Sequence, residues 1–394
     1  MQLDDTQLKA VAHAVNCHFS VITGGAGTGK STIIKEIHER LLFQGHSVSM
    51  CAFAGKAAAR LKQATGSDTM TIHRMLGYNG TKFNCESLKS ECVIVDEASM
   101  VDSELMAAII SRNPHKLILV GDAAQLPPVG KGQPFHDIIN LRPDVVVELK
   151  TCYRNSAAVF DAANAIRNGK QVLHYEQSDT ETWSVSETGN AEKTHAMILE
   201  MVKVGFFDFE QDIILCPKNG SIDMPASVKS LNAEIAQIVL PRAEGVRFVV
   251  GDRIMNTKNL GPKDIWNGTT GKVHAIEETG AVWIWLDQEI KDIAKSTYDN
   301  FAYKSTVRLS KAEAINLELA YAVTVHKSQG SQYRKVLFVC LTRDAHNLLS
   351  RSLIYTAVTR TRKECVVVGE TYAFERGCQT LKTKQTIIQQ LASL

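Results

Sequence analysis

Residues 24–32 read GGAGTGKST and follow the apolar run FSVIT. A glycine-rich turn between a buried strand and a helix suits a phosphate, because its backbone N–H groups can curl around the anion at a helix N-terminus. Gly24, Gly29, Lys30 and Ser31 match G-x-x-x-x-G-K-[ST] in that strand–loop–helix setting. Gly25, Ala26, Gly27, Thr28 and Thr32 fill out the candidate cradle. Lys30 would bring a cation to the β/γ-phosphates, and the Ser31 hydroxyl an oxygen ligand for Mg²⁺. The loop therefore implies a nucleoside triphosphate as substrate, but many unrelated enzymes share it.

A second group narrows the chemistry. In VIVDEAS (93–99) an apolar run ends in Asp96, placed to hold Mg²⁺, and Glu97, placed to polarise an attacking water. A kinase has no use for that second carboxylate, whereas a hydrolase does. In LILVGDAAQLPPVG (117–130) another apolar run leads to Gln125, within reach of a γ-phosphate.

Several elements must hold these groups. Short, continuously apolar runs recur: HFSVIT (18–23), SVSMCAF (47–53), CVIVDEA (92–98), KLILVGD (116–122), VVVEL (145–149), DIILC (212–216), KVLFVCL (335–341) and ECVVVG (364–369). Runs of this kind fit strands covered on both faces, as in parallel sheets. Amphipathic stretches such as STIIKEIHERLLFQG and DSELMAAIISR lie between them and read as crossover helices, so the fold class is α/β. The runs fall into two groups, 1–143 and 144–394. The second is interrupted over 245–310 by turn-rich, β-rich sequence with Asn267-Gly268 and Thr279-Gly280 at hairpin positions, which predicts a small β-barrel insert.

Composition sets limits. The 394 residues are 44% hydrophobic and 22% charged, with 44 Lys plus Arg against 42 Asp plus Glu, a net charge of +2. Any nucleic-acid site must then be a local groove rather than a global basic field. The nine cysteines are scattered without zinc-ligand spacing, which suggests free thiols in a reducing compartment. The N-terminus MQLDDTQLKA lacks a secretory pattern and no apolar run approaches 18 residues, so the expectation is a cytoplasmic protein with no membrane partner.

The order of motifs resembles superfamily 1B helicases of the RecD/Dda-like branch, of phage-type replication and recombination helicases. LDDTQ (3–7) looks like the adenine-reading motif, with Gln7 as reader; GKAAARL (55–61) and TIHRMLG (71–77) resemble the first two DNA-contacting motifs. CYRN (152–155) stands where the family has a γ-phosphate arginine, here Arg154. AYAVTVHKSQGSQY (320–333) and YTAVTRTRK (355–363) match the last two motifs, with Gln332 as an implied nucleotide contact and Arg360 as the implied arginine finger. The resemblance covers nearly the whole chain. It implies two RecA-like domains with parallel sheets, an SH3-like barrel in the second, and ATP with Mg²⁺ hydrolysed between the domains. It also implies a monomeric motor moving 5′→3′ on single-stranded DNA and opening duplex or fork junctions, with replisome or single-strand-binding proteins as candidate partners.

The same motifs give the DNA-contacting candidates: Phe53, Lys56, Arg60, Thr71, His73, Arg74, Thr324, His326, Lys327 and Ser328. Hydroxyls, N–H groups and modest positive charge hold phosphates without reading sequence. One departure stands out. Where the family commonly has Pro-Thr before GKAA, this chain has Phe53-Ala54, which loses a hydroxyl; Phe53 is either a base-stacking surface or core. GYNGTKFN (77–84) is either a short strand-separating pin or a loop. VWIWL (282–286) puts two tryptophans on one strand face and aliphatics on the other, and at least one face should be core. Two other functions stay open: a translocase that strips proteins from single strands, and an ATP-switched nucleic-acid clamp.

Overall fold

The computed structural model describes residues 3–151, 153, 158–260, 263, 265–287, 306–345 and 348–382. The chain forms two compact units, residues 1–160 and 161–380. The first contains α1 (Asp5–Asn16), β1 (Phe19–Gly24), α2 (Lys30–Phe43), β2 (Val48–Ala52), α3 (Gly55–Thr65), β3 (Thr69–Thr71) and α4 (Ile72–Met75). It continues with β4 (Cys92–Asp96), α5 (Ser103–Ile110), β5 (Lys116–Gly121), α6 (Pro134–Leu141) and β6 (Val146–Leu149). Its sheet runs β3-β2-β4-β5-β1-β6, all parallel.

Alternation explains why these runs are apolar throughout. Ile22, Ile94, Ile118 and Val120 face a core shared with Ile33, Ile37 and Leu41 of α2. Their neighbours Val21, Val93, Val95, Leu117 and Leu119 face the other side, against Leu105 and Ile109 of α5 and Phe135 of α6. Each such side chain contributes roughly 1.5–3 kcal/mol on leaving water. The central strands β1, β4 and β5 thus need both faces covered, and the crossover helices cover them.

The second unit follows with α7 (Ala158–Arg167), within which the boundary falls, then β7 (Glu176–Gln177), β8 (Thr182–Glu187), α8 (Ala191–Lys203), β9 (Ile213–Cys216) and α9 (Val228–Val239). Next come β10 (Arg253–Asn256), β11 (Thr270–Ile276), β12 (Val282–Leu286), β13 (Thr306–Leu309), α10 (Lys311–Ala314) and β14 (Leu317–Leu319). The unit ends with β15 (Ala322–Thr324), β16 (Tyr333–Cys340), α11 (Thr342–Ala345), α12 (Arg351–Val358), β17 (Thr361–Gly369) and α13 (Thr371–Gln379). Its main sheet runs β15-β9-β16-β17-β8-β7, parallel except at the β7 edge. Both units are parallel-sheet α/β structures, as the sequence predicts. A separate antiparallel sheet, β13-β12-β11-β10-β14, is inserted between β9 and β15. Val282, Ile284 and Leu286 face its core, while Trp283 and Trp285 are half-buried on the other face.

All eight sequence-derived runs are strands. The boundary at 143 needs correction: β6 pairs with β1, Val21 opposite Val146, so it belongs to the first sheet. A strand's neighbour in a parallel sheet is distant in sequence, and an apolar run does not reveal which sheet it joins. Likewise the insert's sheet extends past 310, because β14 pairs with β10. Among the described residues, no helix is long and apolar enough to cross a membrane.

Candidate nucleotide and nucleic-acid sites

The phosphate loop links β1 to α2. Gly27 and Gly29 have φ of 80° and 83°, the left-handed region that glycine enters without steric cost. A Cβ on Gly29 would stand 2.5 Å from Gln7 Nε2. Lys30 Nζ donates to the carbonyls of Gly24 (2.8 Å) and Gly25 (2.9 Å), and the Thr28 hydroxyl to Gly25 O (2.9 Å). The lysine is thus folded over the loop that would receive the phosphates. Ser31 and Thr32 open the first turn of α2.

Gln7 braces this loop from outside. Its carbonyl accepts the Asp4 N–H (3.1 Å) in a capping box at the start of α1, and its amide donates to Thr28 O (3.2 Å). Both ends of the predicted adenine reader are engaged within the unit. Tyr153, the neighbour of Arg154 in CYRN, joins the same network. Its N–H donates to Gly27 O (3.1 Å) and its hydroxyl to Asp4 Oδ2. That hydroxyl, and then the Gln7 N–H, hold the Asp4 carboxyl below its usual range; burial and Asp4 push the Tyr153 phenol up to about 12. The only signal for Tyr153 in the sequence was its place beside Arg154 in CYRN. Arg154 itself lies outside the described residues.

Asp96 ends β4, and Glu97 follows at φ 51°, ψ 39°. A left-handed conformation for a residue with a Cβ costs on the order of 1–2 kcal/mol. It turns the chain sharply as it leaves the strand. Asp96 Oδ1 accepts the Glu97 N–H (2.8 Å). Burial, then the Glu97 charge, push the Asp96 carboxyl up to about 6, while Arg60 and Lys30 pull it down. Arg60, expected at DNA, instead places Nη2 2.8 Å from Glu97 Oε1 and 4.0 Å from Asp96 Oδ2. Gln125 turns its amide to Asp122 Oδ2 (3.3 Å), and the buried Asp122 also accepts the Ala124 N–H (3.0 Å). Asp122 was another residue the motif reading left out, although it stands in the Gly-Asp that ends its run.

The remaining candidates of this unit follow β2 and β3. Lys56 lies in the first turn of α3, whose N-cap Ala54 offers no side-chain bond. The Thr71 hydroxyl accepts the Arg74 N–H (3.2 Å) and caps α4. Phe53 packs against the α5-side core and meets His73 edge-on, with ring centroids 6.1 Å apart. His73 in turn contacts Tyr78 (5.3 Å) and Phe83 (6.2 Å). Tyr78 and Phe83 form an antiparallel bridge around a turn in which Asn79 Oδ1 accepts the N–H groups of Thr81 (3.0 Å) and Lys82 (2.9 Å). GYNGTKFN is therefore a short hairpin with an aromatic base.

In the second unit, Thr324 ends β15 and its hydroxyl accepts the Lys327 N–H (3.3 Å). Lys327 Nζ pairs with Glu318 (2.7 Å), and Ser328 Oγ donates to Val325 O (2.8 Å). His326 precedes Lys327 in the same turn. The Arg360 guanidinium donates to Thr356 O (3.1 Å), Ser331 O (3.3 Å) and Thr359 Oγ1 (3.3 Å). Gln332 accepts from Arg362 Nε (3.4 Å).

Comparison with known proteins places this arrangement in a family. The AAA domain profile matches residues 2–183, and that of the UvrD-like helicase C-terminal domain matches residues 319–368. The RecBCD enzyme subunit RecD of Mycobacterium tuberculosis is 30% identical over 93% of this chain and 69% of its own length. The chain belongs to the RecD-like helicases of superfamily 1B. An ATP-dependent RecD2 DNA helicase from Deinococcus radiodurans is 32% identical over 95% of this chain, which spans 50% of that relative's length. The RecD-like fold is also similar to that of Pif1 helicase from Bacteroides in complex with ADP-AlF3 and ssDNA (TM-score 0.58, 20% identity, 97% of this chain and 95% of that one). Pif1 from Candida albicans gives a TM-score of 0.52 at 18% identity, over 100% and 98% of the two chains. With two RecA-like units the fold agrees with the family.

Proposed function

We propose that the chain is an ATP-dependent DNA helicase that translocates 5′→3′ on single-stranded DNA and unwinds duplex. The observation that carries this reading is a shared sheet edge. The phosphate loop leaves the carboxyl end of β1 and the acidic pair stands at that of β4, while the candidate DNA residues Lys56 and Thr71 follow β2 and end β3. Since β2 and β4 are direct neighbours, a change at a nucleotide has a short path to a bound strand. Polarity rests on family membership alone.

In this reading Lys30 leaves its loop carbonyls for the β/γ-phosphates, Glu97 orients the attacking water, and Gln125 turns from Asp122 to the γ-phosphate. Gln7 exchanges its Thr28 bond for the adenine edge. The Ser31 hydroxyl and Asp96 carboxylate are hard oxygen donors that fit Mg²⁺. When bound, Mg²⁺ neutralises phosphate charge. γ-Phosphate roles for Arg154 and Arg360 rest on motif order. Single-stranded DNA and fork junctions are the proposed partners, with replisome or single-strand-binding proteins next. The inserted antiparallel sheet is read as the family's SH3-like barrel.

The test uses two partial duplexes, one with a 5′ and one with a 3′ single-stranded tail, with ATP turnover followed alongside and Lys30→Ala as control. Opening of the 5′-tailed duplex only, lost with Lys30, supports the reading; opening from the 3′ tail overturns the polarity. A second reading, a translocase that displaces proteins, is favoured by the short hairpin, whose bridge encloses only residues 79–82. Replacing those four with Gly-Ser should abolish unwinding and spare ATP turnover if the hairpin is the pin.

A further inference from the structure

Arg60 lies on a DNA motif yet its guanidinium sits on the proposed catalytic carboxylate. The Nη2–Oε1 distance to Glu97 is 2.8 Å, and the pair is asymmetric in exposure: the Arg60 side chain is 30% exposed and that of Glu97 5%. A carboxylate oxygen that accepts a short bond from a guanidinium is turned from any water it should polarise. Glu97 has little room to move, because it is buried at the end of a central strand. The arginine can, since it has a flexible stem and a route to solvent.

The position of Arg60 on α3 links it to nucleic acid. Ala52 at the end of β2 is in register with Asp96, and α3 begins three residues later, so the helix runs beside the acidic pair. Lys56 and Arg60 are four residues apart and share one face of α3. A phosphate held at the start of α3 would stand one turn from the guanidinium and compete with Glu97 for it.

We infer that Arg60 is a positioning residue that restrains Glu97 until a strand of nucleic acid draws the guanidinium to its phosphates. Hydrolysis would then be slow without DNA and fast with it, through one side chain that answers to two anions. The inference rests on Glu97 being the group that polarises water.

The experiment measures ATP turnover of the full chain with and without oligothymidylate for wild type, Arg60→Gln and Arg60→Lys, with melting curves to verify folding. Arg60→Gln should raise DNA-free turnover about tenfold and leave the DNA-saturated rate within about twofold, so stimulation largely disappears. Arg60→Lys, which keeps the charge, should stay near wild type without DNA. If DNA-free turnover of Arg60→Gln is unchanged and DNA binding only weakens, with its salt dependence reduced by about one phosphate contact, Arg60 is a plain DNA ligand and the inference falls. Glu97→Gln in the Arg60→Gln background separates the two levels: turnover that survives there refutes the role of Glu97 itself.

Discussion

Tyr153 is hydrogen-bonded to Asp4, 149 residues away, and through its own N–H to Gly27 of the phosphate loop. One residue therefore ties the cap of α1 to the cradle. Tyr153→Phe keeps the ring and the backbone bond and removes only the hydroxyl. KM for ATP should rise severalfold with kcat unchanged, as steady-state kinetics would read. A fall in kcat at constant KM would instead place Tyr153 in the chemistry. Asp4→Ala loses the cap as well and should cost about 1 kcal/mol of stability.

Lys30 and Glu97 should fail differently. Lys30→Ala removes the cation proposed for the β/γ-phosphates and should lower turnover by about 10²-fold or more. Glu97→Gln keeps the shape of the side chain and loses the proposed base, so turnover should drop by about 10²–10⁴-fold. Titration with a fluorescent ATP analogue should find affinity intact only in Glu97→Gln.

Gly29→Ala tests the cradle. At φ 83° a Cβ is disfavoured by about 1–2 kcal/mol, and here it would also press on Gln7 Nε2 at 2.5 Å. Nucleotide affinity should weaken about tenfold, while the core beneath the loop, and hence the melting temperature, changes little.

Glu277 supplies a pH dependence in the inserted sheet. Its carboxylate accepts from Arg308 (2.7 Å, twice), the Trp283 indole (2.7 Å) and Thr279 (2.9 Å), and Arg308 above all holds its pKa down to about 2 from the ordinary 4.5. A depressed folded-state value stabilises above 4.5, and this contribution is lost as pH falls from there toward 2. Melting curves of wild type and Glu277→Gln should be furthest apart near neutrality and converge across that window. A gap independent of pH would mean that the amide fails for reasons of packing.

The sequence made legible what is local. A buried run ending in Asp96-Glu97 and a loop of glycines before Lys30 are each set within a dozen residues, as the end of β4 and the turn into α2, and the eight strands followed from the same continuity. What stayed hidden depends on chain segments that meet from afar. Arg60 reads as a DNA contact in GKAAARL; only the register of β2 against β4 brings it to Glu97, 37 residues on. The role of Tyr153 is likewise set by β6 joining β1, a pairing that no run of valines discloses. Gln7 matched its motif by type and place, yet the capping box and Thr28 decide what its amide touches.

The inserted sheet has incoming and outgoing strands side by side: Ile254 of β10 lies opposite Leu319 of β14. Its host strands β9 and β15 are likewise adjacent, with Ile214 opposite Ala322. The chain thus leaves the parent sheet and returns through a single doorway. Neither set of pairings senses how much polypeptide lies beyond it, and lengthening a closed loop adds only about 0.6 kcal/mol per doubling. The insert can therefore lengthen or shorten while the parent sheet keeps its registers.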